Sequence, residues 1–267
     1  QVSYASTSPA LSDAAAYPDF FRVVPSDALQ GQALSAVVSA DMPANGTVGL
    51  VHMTNAYGSG LADAFTADFT ADGTALCTTI GYEETMTDFS AAVQSMADSG
   101  CTSAVLVSYA ADGGMIIDEM AAQGWSGQVY GGDGIAEEGL ATDATSSVNG
   151  IIATKPASAA TGEVGYVFAA LCAQNPDCAG GIYTAEAFDG IVLVALAAFA
   201  QMASPGATLS QVIMATGQGL AGASGDISFM ANGDVPGAGY CVGDFTEDAD
   251  GVSFDCNRSW DPVNGMS

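Results

Sequence analysis

The sequence predicts an α/β protein built on an open parallel sheet flanked by helices. Two observations carry this expectation. From residue 29 to 156, short strands rich in Val and Ile alternate with amphipathic stretches of about 10 to 15 residues. Across the 267 residues, 49% are hydrophobic, enough to build real cores. Parallel strands linked by helices are covered on both faces, so they read as unbroken apolar runs with right-handed crossovers.

Taken in order, "LQGQALSAVVSADM" (29–42) is helical and leads into the strand "TVGLVHM" (47–53). The helix "GSGLADAFTADFTADG" precedes the strand "ALCTTIGY", and "DFSAAVQSMADSG" precedes "TSAVLVSY". "GGMIIDEMAAQGW", "GQVYGGD" and "NGIIATKP" complete the series. From 157 to about 220 the pattern changes to helices without obvious strands: "GEVGYVFAALCAQNP", "TAEAFDGIVLVALAAFAQ" and "TLSQVIMATGQG". The apolar run 190–203 is too short to span a bilayer and is expected to form part of one long buried helix, so a soluble protein is expected. The stretch from Asp226 to Asp255 is expected to form strands joined by turns at "NGD" and "DADG". "DADG" also resembles the start of a calcium loop, but the twelfth position is Ser259 rather than glutamate, which favours a hairpin turn.

Thirty acidic residues stand against three basic ones (Arg22, Lys155 and Arg258), a formal charge of −27. Such a chain has almost nothing with which to neutralise phosphates, which excludes nucleic acid and argues equally against an anionic membrane surface. The acids are scattered rather than gathered in a tail, as suits a surface working in high salt, where screening relieves self-repulsion. The six cysteines are Cys77, Cys101, Cys172, Cys178, Cys241 and Cys256. None forms C-x-x-C, and the one histidine, His52, cannot complete a zinc set. Cys172 and Cys178 bracket a short loop, Cys241 and Cys256 flank the expected hairpin, and Cys77 and Cys101 open two consecutive strands. Three local disulfides would fit an oxidising compartment; buried free thiols are the alternative, chiefly for Cys77 and Cys101.

Ligands of open parallel sheets bind beyond the carboxyl ends of the strands. Tyr57 and Tyr109 each follow a strand there, and Asp133 follows "GQVYGG", where two glycines permit close backbone approach. Two rings and a carboxylate suit a ligand with an apolar body and an ammonium group; the competing reading makes the tyrosines edge packing and Asp133 a helix cap. Near the start, "YASTSP" (4–9) is a loop whose N–H groups and hydroxyls can hold a small polar ligand. Nothing at the strand ends supplies a nucleophile–base pair, and His52 lies inside an apolar strand. G-x-S-x-G, H-E-x-x-H and P-loop motifs are absent, so neither an enzyme nor a cofactor is expected.

The succession "YASTSPALSD…YPDFFRVVPSDALQGQA", "VGLVHMTNAYGSGLADAF", "DFSAAVQSMADSGCTSAVLVSY", "GGDGIAEEGL", "GIIATKP" and "YTAEAFDGIVLVA" resembles the leucine/isoleucine/valine-binding family. These are periplasmic substrate-binding proteins of type I fold that serve ABC transporters. The resemblance implies two α/β lobes, each a parallel sheet flanked by helices, closing on a ligand by hinge motion. Residues 1–24 and 156–238 would belong to the first lobe, and 25–155 and 239–267 to the second. The family's first lobe also carries an N-terminal βαβ series, and a serine-bearing carboxylate loop within it, that have no counterpart in this sequence. The resemblance therefore implies an incomplete first lobe, exposed apolar helix surface and self-association. Carried over residue by residue, the ligand loop falls on Ala5, Ser6 and Thr7, and Tyr57 and Tyr109 fall on aromatic positions that close over the ligand. Asp133 falls where amino-acid binders often carry a glutamate for the α-ammonium, and Phe188 is a candidate lining residue. The implied ligand is a small amine-bearing solute, foremost an aliphatic amino acid, and the implied partners are ABC permease subunits. The implied location is periplasmic or extracellular. A sensory domain of a receptor on the same fold, or a binder of an amide or other small organic solute, is the alternative.

Overall fold

The computed structural model describes residues 1–158, 162–175, 178, 181–249 and 251–267. In chain order the elements are β1 (Val2–Ser3), β2 (Phe21–Arg22), α1 (Asp27–Asp41), β3 (Val48–Met53), α2 (Ala56–Phe69), β4 (Thr78–Tyr82), α3 (Ser90–Asp98) and β5 (Ser103–Val107). Then come α4 (Ala110–Ala122), β6 (Gln128–Gly131), α5 (Gly139–Asp143), β7 (Ile152–Pro156), α6 (Gly162–Cys172), α7 (Thr184–Ala203) and α8 (Leu209–Thr216). The chain closes with β8 (Leu220–Ala221), β9 (Asp226–Ile227), β10 (Tyr240–Asp248), β11 (Gly251–Asp261) and β12 (Gly265–Met266). Two compact units form, one from Gln1–Ser26 with Pro156–Ala238, the other from Asp27–Lys155 with Gly239–Ser267.

The larger unit is an eight-stranded sheet in the order β12-β11-β10-β7-β6-β5-β3-β4. From β4 to β7 the strands are parallel, with Leu50 opposite Val105 and Val51 opposite Leu106. The pleat sends alternate residues of β3 and β5 to opposite faces. Leu50, Val105 and Val107 meet α1 and α2 through Leu34, Val37, Leu61 and Phe65. Val51, Ala104 and Leu106 meet α3 and α4 through Val93, Met96, Ile116 and Met120. Because both faces are covered, all five residues of β5 are buried, and the apolar runs of the sequence have their cause. Antiparallel β10 and β11 pair as far as Asp248 opposite Gly251, and Asp250 of the expected "DADG" turn lies outside the described residues.

The smaller unit pairs β1 with β2 in parallel and β8 with β9 antiparallel. Its core gathers Phe21, Val23, Leu193, Val212, Ile213, Ile227 and Phe229, with the Phe21 and Phe229 rings 5.2 Å apart. The expectation of a buried helix at 190–203 needs correction. The helix α7 runs for 20 residues with mean hydropathy 1.5, long and apolar enough to cross a membrane by length and composition. Only one face enters the core, through Leu193 and Ala197, while Ile191, Phe199 and Met202 are more than 70% exposed. The strands expected through 228–239 also do not form: Gly233, Gly237 and Gly239 have positive φ, and Pro236 lacks an N–H.

Three disulfides are present: Cys77–Cys101, Cys172–Cys178 and Cys241–Cys256. The first ties the segments entering β4 and β5, which lie on either side of β3. The third crosses the β10–β11 pair at the register shift between Val242 and Gly243.

Candidate functional site

In the larger unit, β3 sends its connection α2 toward β4, while β5 sends α4 toward β6, on the other face of the sheet. Diverging connections leave a crevice above the carboxyl ends of β3 and β5, the place where open α/β sheets bind ligands. Tyr57 enters it from the first turn of α2, and Tyr109 from the residue preceding α4. Asp133 opens a short 3-10 turn directly after β6, the next strand along. The structure thus brings together the three residues that the strand ends single out.

Their geometry is tight. The Tyr57 hydroxyl donates to Asp133 Oδ1 at 2.9 Å and accepts from the Gly134 N–H at 3.2 Å. The Tyr57 and Tyr109 rings stack with centroids 5.2 Å apart and planes 12° from parallel. Asp133 is buried, whereas 47% of Tyr109 faces solvent. A Cβ at Gly134 would sit 2.9 Å from the Tyr57 hydroxyl and 3.2 Å from the Tyr109 ring, so only glycine admits this approach. Asn55 caps α2 by accepting from the Gly58 N–H at 2.7 Å, and its amide donates to Glu84 at 2.5 Å.

Burial pushes the Asp133 carboxyl up to about 6, against hydrogen bonds from Tyr57 and Gln30 that favour its charged form. Burial, then the Asp133 and Asp27 carboxylates, raise the Tyr57 phenol, keeping it a neutral donor. Burial also raises the Tyr109 phenol, assisted by Asp133, Glu84 and Asp112 and opposed by a hydrogen bond with Asn55. A desolvated carboxylate next to a pair of stacked aromatic rings is suited to an ammonium, which would restore the lost hydration of the charge.

Of the supporting residues, Gln30 and Tyr82 have no local signal in the sequence, whereas Asp112 stands at the third position of α4 and closes a capping box with Tyr109. Gln30 of α1 is wholly buried and donates to Thr154 O at 3.0 Å. Beneath Tyr109, the Tyr82 hydroxyl hydrogen-bonds Ser108 at 2.8 Å and also Asp112, whose other oxygen accepts from the Tyr109 N–H at 3.1 Å. Packing of α1 and β4 against the strand ends, not sequence proximity, recruits Gln30 and Tyr82.

The smaller unit holds the other sequence candidates. Ser3 Oγ accepts from the Ser6 N–H at 3.0 Å and donates to Ser6 Oγ at 2.8 Å, shaping the loop. Ala5 is exposed and Thr7 is buried. Phe188 lies on α7 with its ring 5.4 Å from Phe168 of α6. His52 is partly buried on β3, its Nδ1 2.9 Å from the Met53 carbonyl oxygen. Among the described residues no group of three or more His, Cys, Asp and Glu side chains could hold a metal ion.

A model of the receptor family ligand binding region matches residues 1–248. No curated protein matches the chain. Among solved structures, a leucine-binding protein of Thermotoga maritima superposes with TM-score 0.78 at 20% identity, over 95% of this chain and 71% of that one. A periplasmic binding protein type 1 of Bordetella pertussis gives 0.75 at 15% identity, over 90% and 68%. An ABC transporter substrate-binding protein of Desulfitobacterium hafniense gives 0.69 at 21% identity, over 95% and 72%. The chain therefore belongs to the receptor family ligand binding region and has the fold of type I periplasmic binding proteins.

Proposed function

We propose that this protein is the extracytoplasmic solute-binding component of an ABC importer and captures a small amine-bearing solute, foremost an aliphatic amino acid. The observation that carries the proposal is Asp133: a buried carboxylate, fixed by Tyr57 at the mouth of the switch-point crevice and flanked by stacked rings. In this reading the ammonium pairs with Asp133 and the aliphatic body lies against Tyr57 and Tyr109. In the loop Ala5–Ser6–Thr7, the alanine and threonine take the carboxylate and ammonium through backbone groups and the Thr7 hydroxyl, Phe188 contributes apolar lining, and closure of two lobes retains the solute. Binding is non-covalent, without turnover. The three disulfides support an oxidising, extracytoplasmic setting. The exposed apolar face of α7 supports self-association of the chain, which sedimentation velocity reads directly.

Calorimetry with leucine and with 4-methylpentanoate, the same molecule without its amine, tests the ammonium assignment. Leucine should bind and raise the melting temperature by mass action, and the deaminated acid should not. Asp133→Asn should weaken leucine binding by about 2–4 kcal/mol, the usual cost of removing one partner of a buried charge pair. Equal affinities for the two ligands, or an Asp133→Asn protein that binds leucine undiminished, would show the assignment to be wrong.

The description of the matching family, a receptor ligand-binding region, favours one further reading, a sensory domain with the same site chemistry. A permease encoded beside this protein supports import; a membrane-spanning segment in the same polypeptide supports sensing.

A further inference from the structure

The loop at Ser6–Ser8 is held from behind by one side chain. Arg22, wholly buried, donates from Nη1 to three successive carbonyls: Ser6 O at 3.2 Å, Thr7 O at 2.7 Å and Ser8 O at 3.0 Å. Its Nε donates to Asp234 Oδ1 and its Nη2 to Ser12 Oγ, both at 2.7 Å. Ser12 and Asn232 in turn donate to Asp234 Oδ2, at 2.7 and 2.9 Å. A planar fork matched to fixed acceptors has one orientation, so the three carbonyls are fixed with it.

In a trans peptide the C=O and N–H point in opposite directions, and the chain has no cis bonds among the described residues. Drawing the Ser6 and Thr7 carbonyls onto the guanidinium therefore turns the N–H groups of Thr7 and Ser8 away from it. Among the described residues neither N–H donates to a backbone carbonyl. Yet Thr7 is only 5% exposed and Ser8 only 8%. Two successive N–H groups that face one way, with a hydroxyl beside them, offer an anion a set of donors.

We propose that Arg22 is a positioning residue for carboxylate capture, setting the direction of the Thr7 and Ser8 N–H groups without touching the solute. This rests on the solute-binding reading above, in taking Ser6–Ser8 as a ligand loop. The charge of Arg22 is matched by Asp234, so the residue supplies direction rather than net charge. A lysine there keeps the charge but, as a point donor, cannot serve the three carbonyls, Asp234 and Ser12 together.

Sodium acetate is the probe, since it carries a carboxylate and no amine and so is independent of Asp133. In amide NMR spectra of the wild-type protein, acetate should shift the Thr7 and Ser8 resonances saturably. Arg22→Lys should weaken that response about tenfold or more, the loss of roughly one charge-assisted hydrogen bond. Ser12→Ala, which keeps the buried ion pair, should weaken it by a smaller factor and covers the case in which Arg22→Lys does not fold. No saturable shift in the wild type, or an unchanged response in the folded variants, overturns the proposal. Leucine and leucinamide supply a second readout, since leucinamide keeps the ammonium and lacks the carboxylate. Arg22→Lys, or Ser12→Ala in its place, should weaken leucine more than leucinamide. Equal losses for both make Arg22 merely structural and overturn the role. A wild type that ignores leucine but responds to acetate sinks the amino-acid reading while upholding the carboxylate site.

Discussion

Asp133 and Asp234 are both buried carboxylates, and their surroundings push them in opposite directions. For Asp234, burial is outweighed by hydrogen bonds from Arg22, Ser12 and Asn232, so its carboxyl lies below the usual range. It contributes stability above the ordinary carboxylate range and loses it as pH falls through its own lowered value. For Asp133, burial prevails and holds the carboxyl near 6. The folded state then binds a proton more readily than the unfolded one, so this group costs stability fully above pH 6 and less as pH falls toward 4. Asp133→Asn should therefore raise the melting temperature of the solute-free protein at pH 8 and change it little near pH 4. A variant that melts lower at pH 8 would mean the carboxylate is stabilising after all. The same titration predicts that affinity for an amine is flat from pH 7 up to the range where the ligand's own ammonium deprotonates, and declines below 6, approaching tenfold per unit. Tyr57, Tyr109 and Asp133 were legible as residues because strand ends are legible. Gln30 and Tyr82 had no place in the expected site, because nothing local marks a side chain whose partners lie far away in the chain.

At the scale of elements, α2 matters most because its first turn carries Tyr57. Asn55 caps that turn and also reaches Glu84 after β4. Asn55→Ala should cost about 1 kcal/mol of stability, as N-cap removal does, measured by urea unfolding. It should also weaken solute binding, because the cap sets the direction in which α2 leaves the sheet; an affinity equal to wild type would separate cap from site. The regular alternation through 156 was legible because burial on both faces forces strands to be continuously apolar and helices to be amphipathic. The segment after Ile227 misled for the same reason in reverse. Its apolar residues, Phe229 and Val235, reach the core from turns rather than from a ladder, which hydrophobic periodicity cannot distinguish.

For the whole molecule, a charge of −27 is carried with only two ion pairs among the described residues, Arg22–Asp234 and Arg258–Asp41. The remaining carboxylates repel one another through solvent, where salt screens them. The melting temperature should rise steeply when potassium chloride is increased from about 0.1 M to 1 M, a range over which the Debye length falls from about 10 to 3 Å. A melting temperature insensitive to salt would remove the case for a surface adapted to brine.

The sequence by itself determined the α/β class, the parallel strands, the excess of acid and the ordered motifs that mark the family. These follow from local periodicity and composition, which each segment expresses without its neighbours. Only the tertiary structure decided that α7 buries one face and exposes the other, and that the connections leaving the paired strands β3 and β5 diverge to open a crevice. It also decided that one buried arginine gathers three carbonyls. Each depends on which distant segments come to lie side by side, and no local pattern encodes that.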